Sequence, residues 1–324
     1  MTMTLRYSFA GAVAFTVLAT AAGAADMQPV LKAPPTAVDQ QVTGYVEFYS
    51  GFATTKGTEC SIFDDGCDTF KPHGWALGGA ARANYWIARD MSVQVDAQAD
   101  GTSYEDFGRF STHSYLVGGH FSWRNPQQSL FGVFAAAGDA GGGGFTSSQR
   151  HGVIGAEAQW YWNQFTLYAQ GGYATTLGQV DTNFIDSVNA WFIRGTGRYF
   201  INPNFLIEGT VMYANGNIDP SESGVSSTGF NTWTWGVKGE WRLPTAPFSV
   251  FAKYEGSQTK YDDSSDFLRF TSAKTTDQRV LFGLKLHMGD RTLQQTDRAG
   301  ATLDIISPLA TPTSPLMFGP PVLN

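Results

Sequence analysis

Apolar and polar residues alternate in runs of about ten residues from Val42 to Met288. In the run 233–242, the odd positions are Trp, Trp, Val, Gly and Trp, and the even positions are Thr, Gly, Lys, Glu and Arg. Successive side chains of a strand point to opposite faces, so each run has one apolar and one polar face. Recurrence of this pattern predicts an all-β fold, a transmembrane antiparallel up-and-down β-barrel with lipid outside and water inside.

Turn formers divide the pattern into twelve predicted strands, an even number that suits a bacterial barrel with both termini in the periplasm. Segment 129–138 is rich in Ala and alternates weakly, so ten or fourteen strands are alternatives. Connections alternate between tight turns, such as Asn202-Pro203, and longer loops that we expect to face outward. The predicted strands are 41–53, 74–88, 91–102, 112–124, 129–138, 150–162, 164–175, 188–201, 204–215, 230–242, 247–259 and 277–288.

Aromatic residues flank the apolar rows at both ends, as the interfacial girdles of a membrane barrel do. A soluble β-sandwich or propeller is the alternative, but it would make both girdles a coincidence. Beside the tight turns lie Tyr85, Trp123, Trp160, Trp162, Phe165, Tyr199, Phe205, Trp241 and Phe248. Toward the long loops lie Phe52, Trp75, Tyr115, Tyr173, Trp191, Tyr213 and Trp233.

The first residues predict export. Arg6 precedes an apolar run, 9–22, that ends in small residues, the pattern of a cleaved secretory signal peptide. We therefore predict a signal peptide over 1–25, a Pro-containing periplasmic segment over 26–40, the barrel over 41–288 and a tail over 289–324. The predicted location is the outer membrane of a Gram-negative bacterium.

Residues 25–35 read Ala-Asp-Met-Gln-Pro-Val-Leu-Lys-Ala-Pro-Pro. This segment resembles the mature start of many alphaproteobacterial outer-membrane β-barrel proteins, which include small surface proteins and porins. The resemblance implies an outer-membrane barrel and carries no functional residue over to this chain.

The predicted inner face mixes basic and acidic residues. Clustered cations would leave a narrow water-filled path that selects small solutes by charge, whereas interleaved cations and acids would form a salt-bridged plug. The predicted pore-lining residues are Arg82, Asp96, His120, Arg124, Glu157, Arg194, Arg198, Glu208, Lys238, Glu240, Lys253, Glu255, Arg279 and Lys285.

Arg194 and Arg198 share one inward row and could form a basic ladder with Arg82 or Lys238. Planar guanidinium groups suit a passing carboxylate or phosphate. Pairing with Glu208, Glu157 or Glu240 in a structural network is the alternative.

The sequence favours a passive diffusion channel for small hydrophilic solutes, with a non-conducting surface or structural protein as the alternative. A hydrolase is remote. His120-Phe121-Ser122 is similar to the His-x-Ser pair of outer-membrane phospholipases, but both residues are predicted to face inward. We expect no catalytic residues and no cofactor.

Cys60 and Cys67 lie in the first long loop, and an exported protein meets an oxidising compartment, so a disulfide is predicted. A calcium site at Asp64, Asp65 and Asp68 is the alternative.

The formal net charge of -7 becomes -8 once Arg6 is removed with the leader, and the acids concentrate in the long loops. Such a surface excludes nucleic acid as a partner and suits outer-membrane lipid and lipopolysaccharide, bridged by divalent cations. The sequence does not indicate an oligomeric state.

The chain continues 36 residues past Met288, although many bacterial barrels end on an aromatic residue that the barrel-insertion machinery recognises. Several prolines prevent this tail from forming regular ladder strands. It either extends into the periplasm or folds back as a plug.

Overall fold

The computed structural model describes residues 41–61, 67–105, 111–142, 146–178, 185–220, 226–262 and 270–316. These residues form thirteen strands, one short α-helix and one 3-10 turn. The strands are β1 (Val42–Ser61), β2 (Cys67–Phe70), β3 (His73–Trp86), β4 (Met91–Tyr104), β5 (Ser111–Asn125), β6 (Ser129–Gly142), β7 (Thr146–Trp162), β8 (Phe165–Thr176), β9 (Ile185–Asn202), β10 (Phe205–Pro220), β11 (Thr228–Arg242), β12 (Phe248–Tyr261) and β13 (Phe270–Met288). The helix α1 is Leu293–Ala299, and the 3-10 turn is Pro308–Ala310.

Twelve long strands close into a barrel because β13 pairs with β1, Met288 lying opposite Gly44. Every long strand is antiparallel to its neighbours in the chain. The short β2 extends the ladder on β1 at the long-loop end, so it adds no wall strand. Closure leaves no unpaired sheet edge within the membrane. The predicted twelve-stranded antiparallel barrel is confirmed.

Several strands continue beyond their predicted ends on the long-loop side. β13 begins at Phe270 instead of 277, and β9 begins at Ile185 instead of 188. The extra residues are mostly polar and show no alternation, yet Thr and Ser still suit an extended ladder. The weakly alternating segment 129–138 forms part of β6, because β5 and β7 pair with it from both sides.

The outer face is apolar at mid-height. Val95, Val117, Ile154 and Ile193 each expose more than half of their surface. A soluble protein would bury such residues, whereas lipid stabilises them. This is the exterior of a transmembrane barrel.

Aromatic side chains lie exposed toward both rims of this outer face. Trp123 and Trp241 lie beside the tight turns, and Trp75 and Trp191 lie toward the long loops.

The tight β7–β8 turn places Asn163 at φ 51°, a left-handed conformation that Asn tolerates better than most residues.

The C-terminal tail runs through the lumen. At the tight-turn end the Gln294 backbone N–H donates to the Pro203 carbonyl, and near the long-loop end Thr259 donates to Thr313. Of the two alternatives left open by the sequence, the structure therefore has the tail folded back into the barrel.

No helix in the described ranges is long and apolar enough to cross a membrane.

The tail covers an apolar stretch of the inner wall. Leu309 and Leu316 belong to one buried cluster with Phe134, Phe192 and Met212, which project inward from β6, β9 and β10. A water-filled lumen would disfavour these side chains, so their burial depends on the tail.

We expect Ile154→Arg to lower the free energy of unfolding by about 2–4 kcal/mol, because it places a cation at the lipid midplane. The measurement is urea unfolding of the refolded protein in lipid vesicles. Trp162→Arg, also on the outer face of β7 but at the tight-turn rim, is the control and should cost about 0–1 kcal/mol. Equal stability of the two variants would contradict the assignment of this face to lipid.

Candidate functional site

Wall side chains hold the tail by its backbone at the tight-turn end. Trp86 Nε1 donates to the Ala299 carbonyl at 2.9 Å, and Arg124 Nη1 donates to the Gly300 carbonyl at 2.6 Å. α1 begins where the Thr292 hydroxyl accepts a hydrogen bond from the Gln295 N–H, an ordinary N-cap. The tail therefore enters the lumen at a fixed place.

Asp304 lies among three arginines from two sides of the barrel. Its carboxylate pairs with Arg82 of β3, contacts Arg194 Nη1 of β9 at 2.9 Å and lies 3.6 Å from Arg198 Nη2. These four side chains keep between 7% and 15% of their surface exposed. One acid from the tail thus draws together the cations of two distant strands.

The three arginines differ in the other acids available to them. Arg198 Nε contacts Glu208 at 2.7 Å and its Nη1 contacts Asp297 at 2.8 Å. Arg194 instead bonds the amide oxygen of Gln170, and Asp304 is the one acid it pairs with in the described part of the chain. The Arg194–Arg198 row is therefore neither a free ladder nor a network confined to the wall.

A second charged group is fully enclosed beside the tail. His120 Nδ1 lies 2.7 Å from Glu157 and Nε2 lies 3.1 Å from Asp96. A doubly protonated ring donates to both carboxylates, and Tyr168 adds a hydrogen bond to Glu157 at 2.6 Å. Because these acids are buried, the ring between them compensates them, together with Arg82, whose Nε lies 3.9 Å from Asp96.

A cavity of about 340 Å³ remains between the tail and the wall, where it is bordered mainly by β1, β3, β4 and β9–β13. It extends along β13 from Asp277 near the long loops to His287 near the tight turns. The cavity therefore follows most of the length of the lumen.

The lining of this cavity carries both signs of charge. Lys285 contacts Glu47 at 3.2 Å and Arg279 contacts Asp100 at 2.6 Å. Lys285 also lies over the Tyr45 ring, 4.3 Å from its centroid. Such a surface suits a small polar solute better than an apolar one.

The structure divides the predicted pore-lining residues into two groups. Those bordering the cavity are Arg82, Arg194, Arg198, Glu208, Lys238, Glu240, Lys253, Glu255, Arg279 and Lys285. Those buried beside the tail, away from the cavity, are Asp96, His120, Arg124 and Glu157.

Sequence reasoning missed Asp297 and Asp304, which supply acid to the inward arginines. The available signal was their position: each is an acid within a tail that also carries Leu303, Ile305 and Leu309, too many apolar residues for a solvated linker.

The backbone register places Cys60 directly opposite Cys67. Their side chains and those of the proposed calcium ligands Asp64, Asp65 and Asp68 lie outside the described residues, so both expectations stay predictions. Among the described residues, no group of three or more His, Cys, Asp or Glu side chains is arranged to hold a metal ion.

No protein-family model matches the sequence, and no curated protein does. Among solved structures, an outer membrane channel from Pseudomonas putida F1 is similar, with 10% identity, 81% of this chain and 99% of that chain covered, and a TM-score of 0.53. The outer membrane protease OmpT of Escherichia coli covers 79% of this chain and 99% of its own at 9% identity, with a TM-score of 0.35. The match to a Pseudomonas aeruginosa FadL homologue covers 76% of this chain and 90% of that chain at 10% identity, with a TM-score of 0.41. The first likeness shows the barrel fold, and the other two carry no argument.

We expect His120→Leu to lower the free energy of unfolding by about 3–5 kcal/mol, because it leaves Asp96 and Glu157 buried without the cation between them. Urea unfolding in detergent micelles measures the change. His113→Leu is the matched control on β5: half of its side chain is exposed, so its loss should cost less than about 1 kcal/mol. A His120→Leu protein as stable as this control would show that the buried group contributes little.

Asp290 lies just after β13, and its environment predicts that the free energy of unfolding depends on pH. Burial raises its pKa to about 6 although Arg242 and Arg124 lie nearby and lower it. An acid whose folded pKa is raised favours folding fully below the unfolded value of 3.8, and this contribution is lost as the pH rises through 6.

Asp290→Asn removes this contribution. Between pH 4 and 7, we expect the wild-type free energy of unfolding to fall by up to about 3 kcal/mol relative to that variant. Asp90→Asn, in the exposed β3–β4 turn, is the control and should give a curve parallel to the wild type. Parallel curves for Asp290→Asn as well would contradict the assignment.

Proposed function

We propose that this protein is an outer-membrane channel of a Gram-negative bacterium, which passes small hydrophilic solutes by passive diffusion along the cavity beside its tail. The observation that carries the proposal is the charged cavity extending from Asp277 to His287. Its volume, about 340 Å³, lies at the lower end of small-molecule sites, so it suits solutes of few heavy atoms.

The exterior and the fold support this proposal. The apolar outer face suits a lipid bilayer, and the acidic long loops suit a surface beside lipopolysaccharide. The similar Pseudomonas putida protein is itself an outer membrane channel, which is an analogy of fold rather than of site.

The ion pairs around the tail favour the second candidate function, a non-conducting surface or structural protein. Asp304, Asp297 and Glu208 compensate the arginines of β3 and β9, and a lumen tied in this way could serve as a plug. Conduction measurements separate the two candidates.

We propose that this protein has no catalytic activity. Both ring nitrogens of His120 contact carboxylates, and the Ser122 hydroxyl contacts Ser92 at 2.9 Å. A serine nucleophile needs a base beside its hydroxyl, and these contacts leave His120 engaged elsewhere.

Thr210→Cys tests the cavity as the conducting path, because Thr210 borders the cavity whereas the neighbouring Val211 faces lipid. In a Cys60→Ser/Cys67→Ser background, a cationic thiol reagent should lower the single-channel conductance of Thr210→Cys by half or more. Val211→Cys is the matched control and should keep its conductance. The measurement uses the refolded mature chain in planar bilayers.

Discrete steps that the reagent leaves unchanged at Thr210→Cys would place the path elsewhere. Silence from demonstrably folded protein would reject the channel in favour of the non-conducting alternative.

A further inference from the structure

The ion pairs of Asp304 join the barrel wall to the C-terminal tail. Arg82, Arg194 and Arg198 belong to the wall, whereas the acid among them comes from an irregular segment without ladder hydrogen bonds. All four side chains border the cavity. A solute in the cavity therefore lies beside both the arginines and the acid that pairs with them.

The wall alone does not neutralise Arg82 and Arg194. Within the described residues, Arg194 has no wall acid, and its Nε has no hydrogen-bond partner. Among the described wall residues, the one acid that pairs with Arg82 is Asp96, at 3.9 Å. Without Asp304, the wall would present two guanidinium groups with unfilled donors, the geometry that suits a carboxylate or a phosphate.

We propose that Arg82, Arg194 and Arg198 form an anion-binding site, that Asp304 is its resident occupant, and that a small carboxylate or phosphate solute displaces Asp304 and so moves the tail. The inference rests on the proposed channel, for which it names the solute class and the regulation.

Charge compensation explains why displacement needs an anion. When Asp304 leaves alone, Arg194 keeps no acid among the described residues and Arg82 keeps Asp96 at 3.9 Å, which disfavours the vacated state. An anion that enters restores the charge contacts of the lost carboxylate, so exchange costs less than the loss of Asp304 alone. By linkage, a change in the tail that weakens the hold of Asp304 and leaves the arginines intact strengthens the binding of the solute by up to the same factor.

The tether sets the concentration at which a solute competes. Asp304 is part of the same chain, so its effective concentration at the site is on the order of millimolar or above. A free monoanion of similar affinity competes only in that range, whereas a dianion that contacts all three arginines competes at lower concentration. The site is thus suited to abundant small solutes.

The experiment follows thiol labelling of Leu303→Cys in the full chain with Cys60→Ser and Cys67→Ser. Leu303 adjoins Asp304, is 0% exposed and does not border the cavity, so labelling reports movement of the tail. The probes are sodium succinate and sodium phosphate, each compared with sodium chloride at equal ionic strength. We expect succinate, phosphate or both to raise the labelling rate by roughly tenfold at millimolar concentrations. The more effective probe identifies the anion class.

Two variants in this background separate the site from general effects. Asp304→Asn should label rapidly without any anion and lose the response. Asp100→Asn removes an acid that borders the same cavity but pairs with Arg279, so it should keep the response. Arg194→Lys, which keeps the charge but loses the planar pair of donors, should weaken the response if Asp304→Asn proves difficult to fold.

A labelling rate indifferent to both anions, together with slow labelling of Asp304→Asn, would overturn the inference. Conductance that depends on Thr210 without any anion response would also overturn it and leave the channel intact. An anion response in protein that does not conduct would support the site and reject the channel.

Discussion

The cations of the inner wall are enclosed by a cylinder whose outside faces lipid, and each of those that border the cavity lies close to an acid. The wall provides some of these acids, such as Glu208 for Arg198 and Asp100 for Arg279. It leaves Arg194 to the tail. The position of the tail, the shape of the remaining cavity and the burial of the apolar wall residues all depend on this shared compensation. The lumen is therefore one electrostatic unit made from strands and tail together.

The backbone carbonyls of the tail accept hydrogen bonds from different donors than those of the strands. Strand carbonyls accept ladder hydrogen bonds from neighbouring strands. Tail carbonyls accept from wall side chains: Trp86, Arg124 and Gln94 donate to the carbonyls of Ala299, Gly300 and Leu303, and Arg242 donates to that of Asp290. A buried carbonyl without a ladder partner needs another donor, and the wall side chains supply it. Arginines that read as pore-lining in the sequence are thus also structural supports.

The barrel could be predicted from the sequence because its signal is local. Alternation with period two, turn residues and rim aromatics are visible within each run of ten residues, and together they predicted all twelve wall strands. The site could be predicted only in part. The inward direction of His120 follows from its own strand, but its contacts with Asp96 of β4 and Glu157 of β7 depend on the order of the strands, in which β4 adjoins β5 and β6 lies between β5 and β7. The tail has no periodic pattern, so its path depends on contacts that no local signal reveals.

The pairing of Arg82 with Asp304 spans 222 residues of sequence. Contacts of such separation form late, because the closure entropy of the intervening chain opposes them until most of the barrel exists. β13, which closes the ring, also precedes the tail in the chain. Asp304, 16 residues past the end of β13, therefore neutralises a charge on β3, the second wall strand. The wall can therefore close before the tail enters it, and until then Arg194 has no acid to pair with among the described wall residues.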